Sequence, residues 1–150
     1  MRSSDSSNPA EMRTTTDYHE LRKVHNLLRV MKMESMTIII NDPPYGTERA
    51  WNAMRLALAS VSAAVKSKVN IFLLGDAVSA AKRGQDTPEG YYNLEKMLRD
   101  LVKADATVSA CGTCLKARAL GQEDLIEGVG VGTMMELAKW VKESRVVLSF

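Results

Sequence analysis

Histidine and cysteine are scarce in this chain, which has two of each among 150 residues. Both histidines, His19 and His25, precede the first buried-strand pattern, so the body of the sequence contains none. Serine or cysteine catalysis with an imidazole base is therefore not available within the body. A zinc site needs about four nitrogen or sulfur ligands, and one subunit does not supply them. We expect no metal and no cofactor, although a metal shared between subunits stays open.

Charge of one sign, aromatic residues and long apolar runs are also limited. The net charge is +2 with both signs interspersed, and aromatic residues make up 5% of the chain. No basic patch with interleaved aromatics indicates nucleic-acid binding. We expect neither a membrane span nor a signal peptide, because no apolar run has the required length or flanks. Two cysteines three residues apart fit a reducing compartment, which predicts a cytoplasmic protein.

The first 35 residues differ in composition from the rest, and we interpret them as an N-terminal leader. Residues 1–16 are rich in serine and threonine without apolar periodicity, which predicts disorder. Between residues 18 and 34, apolar side chains recur at helical spacing and predict an amphipathic helix. These side chains belong to Leu21, Val24, Leu28 and Met31. Residues 36–150 have the length of one domain.

Strand and helix patterns alternate through residues 36–150. Apolar, β-branched runs predict strands at residues 36–40, 69–74, 106–111, 126–131 and 145–150. Helical periodicity and capping residues predict helices at residues 47–66, 77–82, 91–104, 115–120 and 133–143. This alternation predicts an α/β fold in which helices cover both faces of a mostly parallel five-stranded sheet.

Three of the predicted loops follow strands and carry polar or reactive residues. They are residues 41–47, 75–78 and 111–114. Because ligands and catalytic groups in such folds gather beyond the carboxyl ends of the strands, we expect these loops to form one site.

The most reactive part of that site is Cys111-Gly112-Thr113-Cys114, which lies where a strand leads into a helix. A cysteine at this junction faces unpaired amide groups and the positive end of a helix dipole, which lower a thiol pKa. Cys111 is therefore a candidate nucleophile, although burial as a small apolar residue is the alternative. Cys114 is either a resolving thiol or a packing residue. Gly112 and Thr113 complete the candidate loop.

Five further residues are candidates for supporting roles. Lys116 and Arg118 either stabilise an anionic sulfur or form a solvated helix face. Asp42 and Asp76 end two strands, where an aspartate orients a loop, caps a helix or accepts a proton. Tyr45, in a loop with two prolines, is expected to shape the wall of a pocket.

A glycine-rich run, residues 128–132, precedes the last predicted helix. Its spacing is not that of a dinucleotide-binding fingerprint, and it comes late in the fold. We interpret these glycines as permitting close approach between strand and helix.

With these elements placed, the sequence from Met36 to Phe150 resembles the DsrE/DsrF-like family, which includes the TusD-type sulfur relay subunits. The resemblance rests on the opening strand and on four segments in the same order and spacing. They are Arg49 to Ala57, Phe72 to Val78, Ala110 to Arg118, and Leu125 to Leu137.

The resemblance implies a compact three-layer α/β/α sandwich that assembles into a homo-oligomer, a trimer or a hexamer. It also implies that active members carry sulfur as a persulfide on one cysteine, five residues before a segment containing Arg-Gly. Cys111 matches that cysteine, because five residues separate it from Ala117-Arg118, whereas Cys114 does not match. Ala119 replaces the usual glycine, which we interpret as a helix that continues to Gly121.

These observations lead to one principal hypothesis and two alternatives. The principal hypothesis is a sulfur carrier, similar to a sulfurtransferase, that loads Cys111 from a sulfur donor and passes the sulfur to an acceptor thiol. The first alternative is an oligomeric binding module of the same fold, without catalysis and with both cysteines buried. The second is a dithiol redox protein that forms a reversible disulfide between Cys111 and Cys114.

Overall fold

The computed structural model describes residues 18–28 and 35–150. The chain divides into two compact units, Met1–Met33 and Glu34–Phe150. In the first unit, residues 18–28 are helical (α1), and apolar side chains of this helix such as Leu21 and Val24 are exposed. The predicted disorder of residues 1–16 and the continuation of the helix to residue 34 lie outside the described residues.

The second unit alternates strands and helices along its whole length. Its strands are β1 (Ser35–Ile40), β2 (Lys68–Leu73), β3 (Thr107–Cys111), β4 (Val129–Gly132) and β5 (Val146–Ser149). Its α-helices are α2 (Arg49–Val61), α3 (Leu94–Lys103), α4 (Gly112–Lys116) and α5 (Met134–Glu143). Two 3₁₀ helices, Gly75–Ala81 and Gln122–Asp124, lie in the connections.

The five strands form one parallel sheet in the order β4-β3-β2-β1-β5. The chain adds β1 to β4 in one direction and then crosses to the opposite edge for β5. Since such crossovers are right-handed, α2 and α3 cover one face and α5 covers the other. Trp140 of α5 accordingly packs edge-on against Phe72 of β2, with ring centroids 5.7 Å apart. The predicted α/β fold is confirmed.

The core lies mainly between β1, β2 and helices α2 and α3. In β2 every residue from Val69 to Leu73 is buried, as expected for a central parallel strand covered on both faces. Helix α2 buries mostly small side chains against the sheet, together with Met54.

The helix after β1 is shorter at both ends than its pattern predicts. It begins at Arg49 with Glu48 at the N-cap position and no side-chain cap, so Thr47 lies one residue too early to cap it. The Thr47 hydroxyl donates a hydrogen bond to Asp42 Oδ2 at 3.0 Å. It ends at Val61 rather than near Lys66, since Ser62 has an extended ψ of 157°. The predicted Thr47 cap is therefore wrong, and this hydroxyl instead closes the loop after β1.

Other boundaries differ because tertiary hydrogen bonds compete with local patterns. Residues 77–82, predicted as a helix, lie mostly in the 3₁₀ helix Gly75–Ala81. Helix α3 begins only at Leu94, since the Asn93 side chain caps it by accepting from Lys96 N. Strand β4 begins after Ile126, whose N–H bonds to the Ala81 carbonyl at 2.8 Å. The predicted Thr133 cap of α5 is confirmed, since its hydroxyl accepts from Glu136 N at 3.2 Å.

The helix after Cys111 does not continue to Gly121, as the sequence suggested. Helix α4 ends at Lys116, and the chain turns through Ala119, whose φ is 53°. Leu120 N–H then bonds back to the Leu115 carbonyl at 3.0 Å. Alanine thus occupies a left-handed position that favours glycine.

The substitution Ala119→Gly should stabilise the domain. A left-handed alanine costs roughly 1–2 kcal/mol, and the added freedom of glycine in the unfolded chain offsets roughly 0.4–1 kcal/mol of the relief. We expect the free energy of unfolding, measured by urea titration, to rise by about 0.5–1 kcal/mol. Ala117→Gly is the control, because Ala117 has a helical φ of −63° and should lose about 0.5–1 kcal/mol. If Ala119→Gly and Ala117→Gly lost the same amount of unfolding free energy, the backbone at Ala119 would not be strained.

Candidate functional site

The three predicted loops meet at the carboxyl edge of the sheet. Leu74 N–H bonds to the Ile40 carbonyl at 2.8 Å, which holds the loop after β2 against the end of β1. On the other side, Gly75 N–H donates to Cys114 Sγ at 3.3 Å. Residues that are far apart in the sequence, around positions 41, 75 and 114, therefore form one continuous edge.

Cys111 and Cys114 are both free thiols in this edge. Cys111 ends β3, pairs with Gly132 of β4 and is 5% exposed. Its Sγ accepts a hydrogen bond from Cys114 N at 3.4 Å. Cys114 lies one turn later and is only partly buried, so the two residues differ in their exposure to solvent.

The expected lowering of the Cys111 pKa is wrong. Burial raises the pKa of this thiol, and the neighbouring Cys114 thiol raises it further, whereas the N–H groups of Cys114 and Thr113 oppose the shift only in part. The physical reason is that desolvation penalises the thiolate, while a helix of five residues carries only a small dipole. At neutral pH Cys111 is therefore protonated in this structure.

The Arg118 guanidinium interacts with Asp76 and with the α4 backbone. Its Nε donates to Asp76 Oδ1 at 3.2 Å, and its Nη1 donates to the Cys114 carbonyl at 3.0 Å. Asp76 thus serves as the partner of this arginine in the structure. Lys116 is exposed. The geometry gives Arg118 and Asp76 a positioning role around Cys114.

Asp42 and Tyr45 organise the loop after β1. Asp42 accepts from Thr47 and lies 3.6 Å from Arg49 Nε, which agrees with the loop-orienting interpretation. The Tyr45 hydroxyl donates to Gln85 Oε1 at 2.6 Å, and its ring stacks on Tyr92 with centroids 5.7 Å apart. Tyr45 therefore belongs to an aromatic cluster that packs on the loop before α3.

Gly112 and Thr113 separate the two cysteines. A Cβ at Gly112 would lie 3.0 Å from Val131 Cγ1, so glycine allows α4 to begin close to β4. Thr113 is exposed. Both residues accordingly shape the loop, and Thr113 forms part of its solvent-facing surface.

Sequence reasoning did not identify two features of the site. The first is the backbone N–H of Gly75, a donor to sulfur that no side-chain pattern reveals. The second is Glu136, whose Oε1 accepts from the Ser109 hydroxyl at 3.0 Å and ties α5 to β3. The capping box that begins at Thr133 was the one signal that pointed to Glu136.

Two observations on metal ligands and on helix hydropathy concern the described residues alone. Within residues 18–28 and 35–150, no group of three or more histidine, cysteine, aspartate or glutamate side chains is arranged to hold a metal ion. Across the same residues, no helix has both the length and the apolar character that crossing a membrane requires.

Comparisons with known proteins agree with the fold. A protein from Methanopyrus kandleri is 42% identical over 118 residues, which is 79% of this chain and 95% of that protein. Protein YchN of Escherichia coli is 39% identical over 79% of this chain and 100% of its own length, and its crystal structure superimposes with a TM-score of 0.74. A protein from Methanobacterium thermoautotrophicum shares the fold at 16% identity, with a TM-score of 0.60 over 77% of this chain and 97% of its own.

The family comparison covers the whole second unit. The model of the DsrE/DsrF-like family matches residues 34–150. This range includes the three loops of the carboxyl edge and both cysteines. The chain therefore belongs to the DsrE/DsrF-like family.

Proposed function

We propose that this protein is a sulfur carrier that accepts sulfane sulfur as a persulfide on Cys111 and relays it to a partner thiol. The observation that supports the proposal is a pair of free thiols at the carboxyl edge of a DsrE/DsrF-like domain. Two backbone N–H groups, those of Gly75 and Cys114, point at these sulfurs. Such donors stabilise negative charge on sulfur during exchange.

Release of the sulfur is a thiol exchange. The thiolate of an acceptor attacks the outer sulfur of the Cys111 persulfide, and the bond between the two sulfurs breaks. Cys111 then leaves as a thiolate, to which Cys114 N–H donates. The buried position of Cys111 shields a bound persulfide from water and from small reductants in the meantime.

The proposal includes a homo-oligomer, a trimer or a hexamer, in the cytoplasm. Large apolar side chains are exposed on α5 (Met134, Met135 and Val141) and on the edge strand β5 (Val146 and Val147). Exposed apolar groups of this kind mark interaction surfaces. The remaining partners are a sulfur donor and an acceptor that present a sulfane sulfur and a thiol.

Reduced protein that is incubated with inorganic polysulfide and then freed of the donor should retain one added sulfur on Cys111. Intact and tandem mass spectrometry measure the added mass and its position. Cys114→Ser should retain this final load, whereas Cys111→Ser should lose it, because only the buried site protects a persulfide. Wild-type protein that gains no sulfur at any time would contradict the carrier.

Two alternatives are each favoured by one observation. The closeness of the two thiols, one turn apart, favours a dithiol redox protein; the same spectra would then show loss of two hydrogens without added sulfur. The burial of Cys111 favours a binding module without catalysis, for which both thiols would stay unreactive near neutral pH.

A further inference from the structure

The two thiols are not equally accessible to a sulfur donor. Cys111 as a residue is 5% exposed, so we expect a donor to reach it through local opening of the structure. Cys114 lies nearer the surface and is only partly buried. A donor that approaches the closed structure therefore meets Cys114 first.

Cys114 also has a hydrogen-bond donor from outside its own helix. Gly75 N–H, in the loop after β2, points at Cys114 Sγ from 3.3 Å. An N–H donor at this distance stabilises the sulfur as an anion, both when it attacks and when it leaves. The sulfur of Cys114 thus combines access with stabilisation of its charge.

Arg118 and Asp76 hold this donor in place. Asp76 directly follows Gly75, and it accepts from Arg118 Nε, while Arg118 Nη1 binds the Cys114 carbonyl. The pair therefore ties the loop that carries the N–H to the segment that carries the sulfur. Because their side chains are 31% and 67% exposed, their ion pair adds little stability by itself, and its effect is on geometry.

We propose that Cys114 is the thiol that takes the sulfur atom from the donor and then passes it inward to Cys111. The Asp76–Arg118 pair acts as the positioning element that keeps Gly75 N–H on the Cys114 sulfur. This inference rests on the proposed function and assigns the order of its steps.

Both steps balance without an added oxidant or reductant. The Cys114 thiolate attacks the outer sulfur of a persulfide or polysulfide, and the sulfur–sulfur bond of the donor breaks. A persulfide donor leaves as a thiolate, and inorganic polysulfide leaves as hydrosulfide or a shorter polysulfide anion. Cys111 then attacks the outer sulfur of the Cys114 persulfide and becomes the persulfide itself. The Cys111 proton passes to Cys114, which leaves as the thiol, so one sulfur atom moves inward as one proton moves outward.

A time course of loading tests this order. Reduced wild-type protein is mixed with inorganic polysulfide, quenched with iodoacetamide at successive times and mapped by tandem mass spectrometry. We expect the added sulfur on Cys114 first and on Cys111 later. Cys114→Ser should load Cys111 about tenfold or more slowly, since loading then waits for opening of a buried thiol. Cys111→Ser should load Cys114 at the wild-type rate and lose the sulfur when the donor is removed.

Three outcomes separate this inference from the proposed function. If Cys114→Ser loads Cys111 at the wild-type rate and no sulfur appears on Cys114 in the wild type, the order is wrong while the carrier stands. If the wild type takes up no sulfur, the proposed function as a sulfur carrier is itself contradicted. Sulfur on Cys114 before Cys111 in the wild type supports the order without relying on any variant.

The variant Asp76→Ala tests the positioning role, because the two possible roles of Arg118 predict opposite changes in the rate at which Cys114 is loaded. If Arg118 acts by holding the Gly75 loop, this change should slow loading of Cys114, as should Arg118→Gln, with little change in Tm. If Arg118 instead acts by its charge on the sulfur, removal of the neutralising aspartate should speed loading, and that result would overturn the positioning role. Arg83→Gln, the same substitution at an exposed arginine, is the control.

Discussion

Gly132→Ala should lower the free energy of unfolding by about 2–3 kcal/mol, whereas Gly130→Ala on the same strand should cost less than about 1 kcal/mol. A Cβ at Gly132 would lie 2.7 Å from Phe72 Cε2 and 2.9 Å from both Ser109 Cβ and Glu136 Oε2. Phe72 is fully buried, so the ring cannot move away without disturbing the core. Urea titration of both variants measures the difference.

Gly130→Ala is a well-matched control, because Gly130 and Gly132 both lie on β4 and face the same side of the sheet. A Cβ at Gly130 would meet its nearest neighbours, Ser109 Oγ and Val108 O, at 3.5 and 3.8 Å, which is ordinary contact. Equal stability of the two variants would show that β4 and α5 are not closely packed.

The Gly132 substitution should also affect the site. Gly132 is the register partner of Cys111, so relief of the overlap moves the end of β3 or the start of α5. We expect iodoacetamide to modify Cys111 faster in Gly132→Ala than in Gly130→Ala. An unchanged rate would mean that the strain is relieved away from the thiols.

The second large effect concerns Glu95, a buried carboxylate that anchors the loop before α3. Its Oε2 accepts from Gln85 N at 2.7 Å, and its Oε1 accepts from Arg99 Nη2 at 2.7 Å. Gln85 in turn accepts from the Tyr45 hydroxyl, so Glu95 supports the aromatic cluster beside the site. Because hydrogen bonds to a charged group contribute roughly 1.5–3 kcal/mol each and glutamine keeps part of them, Glu95→Gln should cost about 1–3 kcal/mol at pH 7.

This cost should depend on pH in a defined direction. Burial raises the Glu95 pKa, but the hydrogen bonds from Arg99 and from the N–H groups of Gln85 and Gly84 outweigh it, so the pKa is lowered overall. A carboxyl with a lowered folded pKa contributes stability above its unfolded pKa of about 4.3 and loses it as pH falls through the folded value. The difference between wild type and Glu95→Gln should therefore be full near pH 7 and shrink below about pH 4.

Urea titrations at several pH values measure this dependence. Asp100→Asn is the control on the same helix, because Asp100 is 63% exposed and lies 3.8 Å from Lys103. It should change stability by less than about 0.5 kcal/mol at any pH. A Glu95→Gln deficit that does not shrink in acid would assign the effect to packing rather than to charge.

Local patterns in the sequence predicted most of the fold. Alternating strand and helix periodicity identified all five strands of the sheet, and the capping box at Thr133 placed the start of α5. These signals can be found in the sequence because burial periodicity and capping act over a few residues. The sequence also placed the two cysteines where β3 leads into α4, and its motifs identified the DsrE/DsrF-like family, which the comparison confirms.

Element boundaries depended on contacts that the local pattern does not contain. Thr47 has the character of a helix cap, yet its hydroxyl bonds Asp42. Ala119 looked like the interior of a helix, yet it has a positive φ, because the chain turns back so that Leu120 can bond the Leu115 carbonyl. In each case the helix boundary comes with a specific hydrogen bond that helix propensity and capping patterns do not encode.

The sequence by itself therefore determined the fold class, the family and the position of the thiol pair. Only the tertiary structure decided the environment of each thiol: the burial that raises the Cys111 pKa, the Gly75 N–H on Cys114 and the binding of Arg118 to Asp76. The latter two contacts join residues 39 and 42 positions apart. The physical reason is that packing of β2 beside β3 sets the distance between such residues, and no periodicity along the chain encodes that distance.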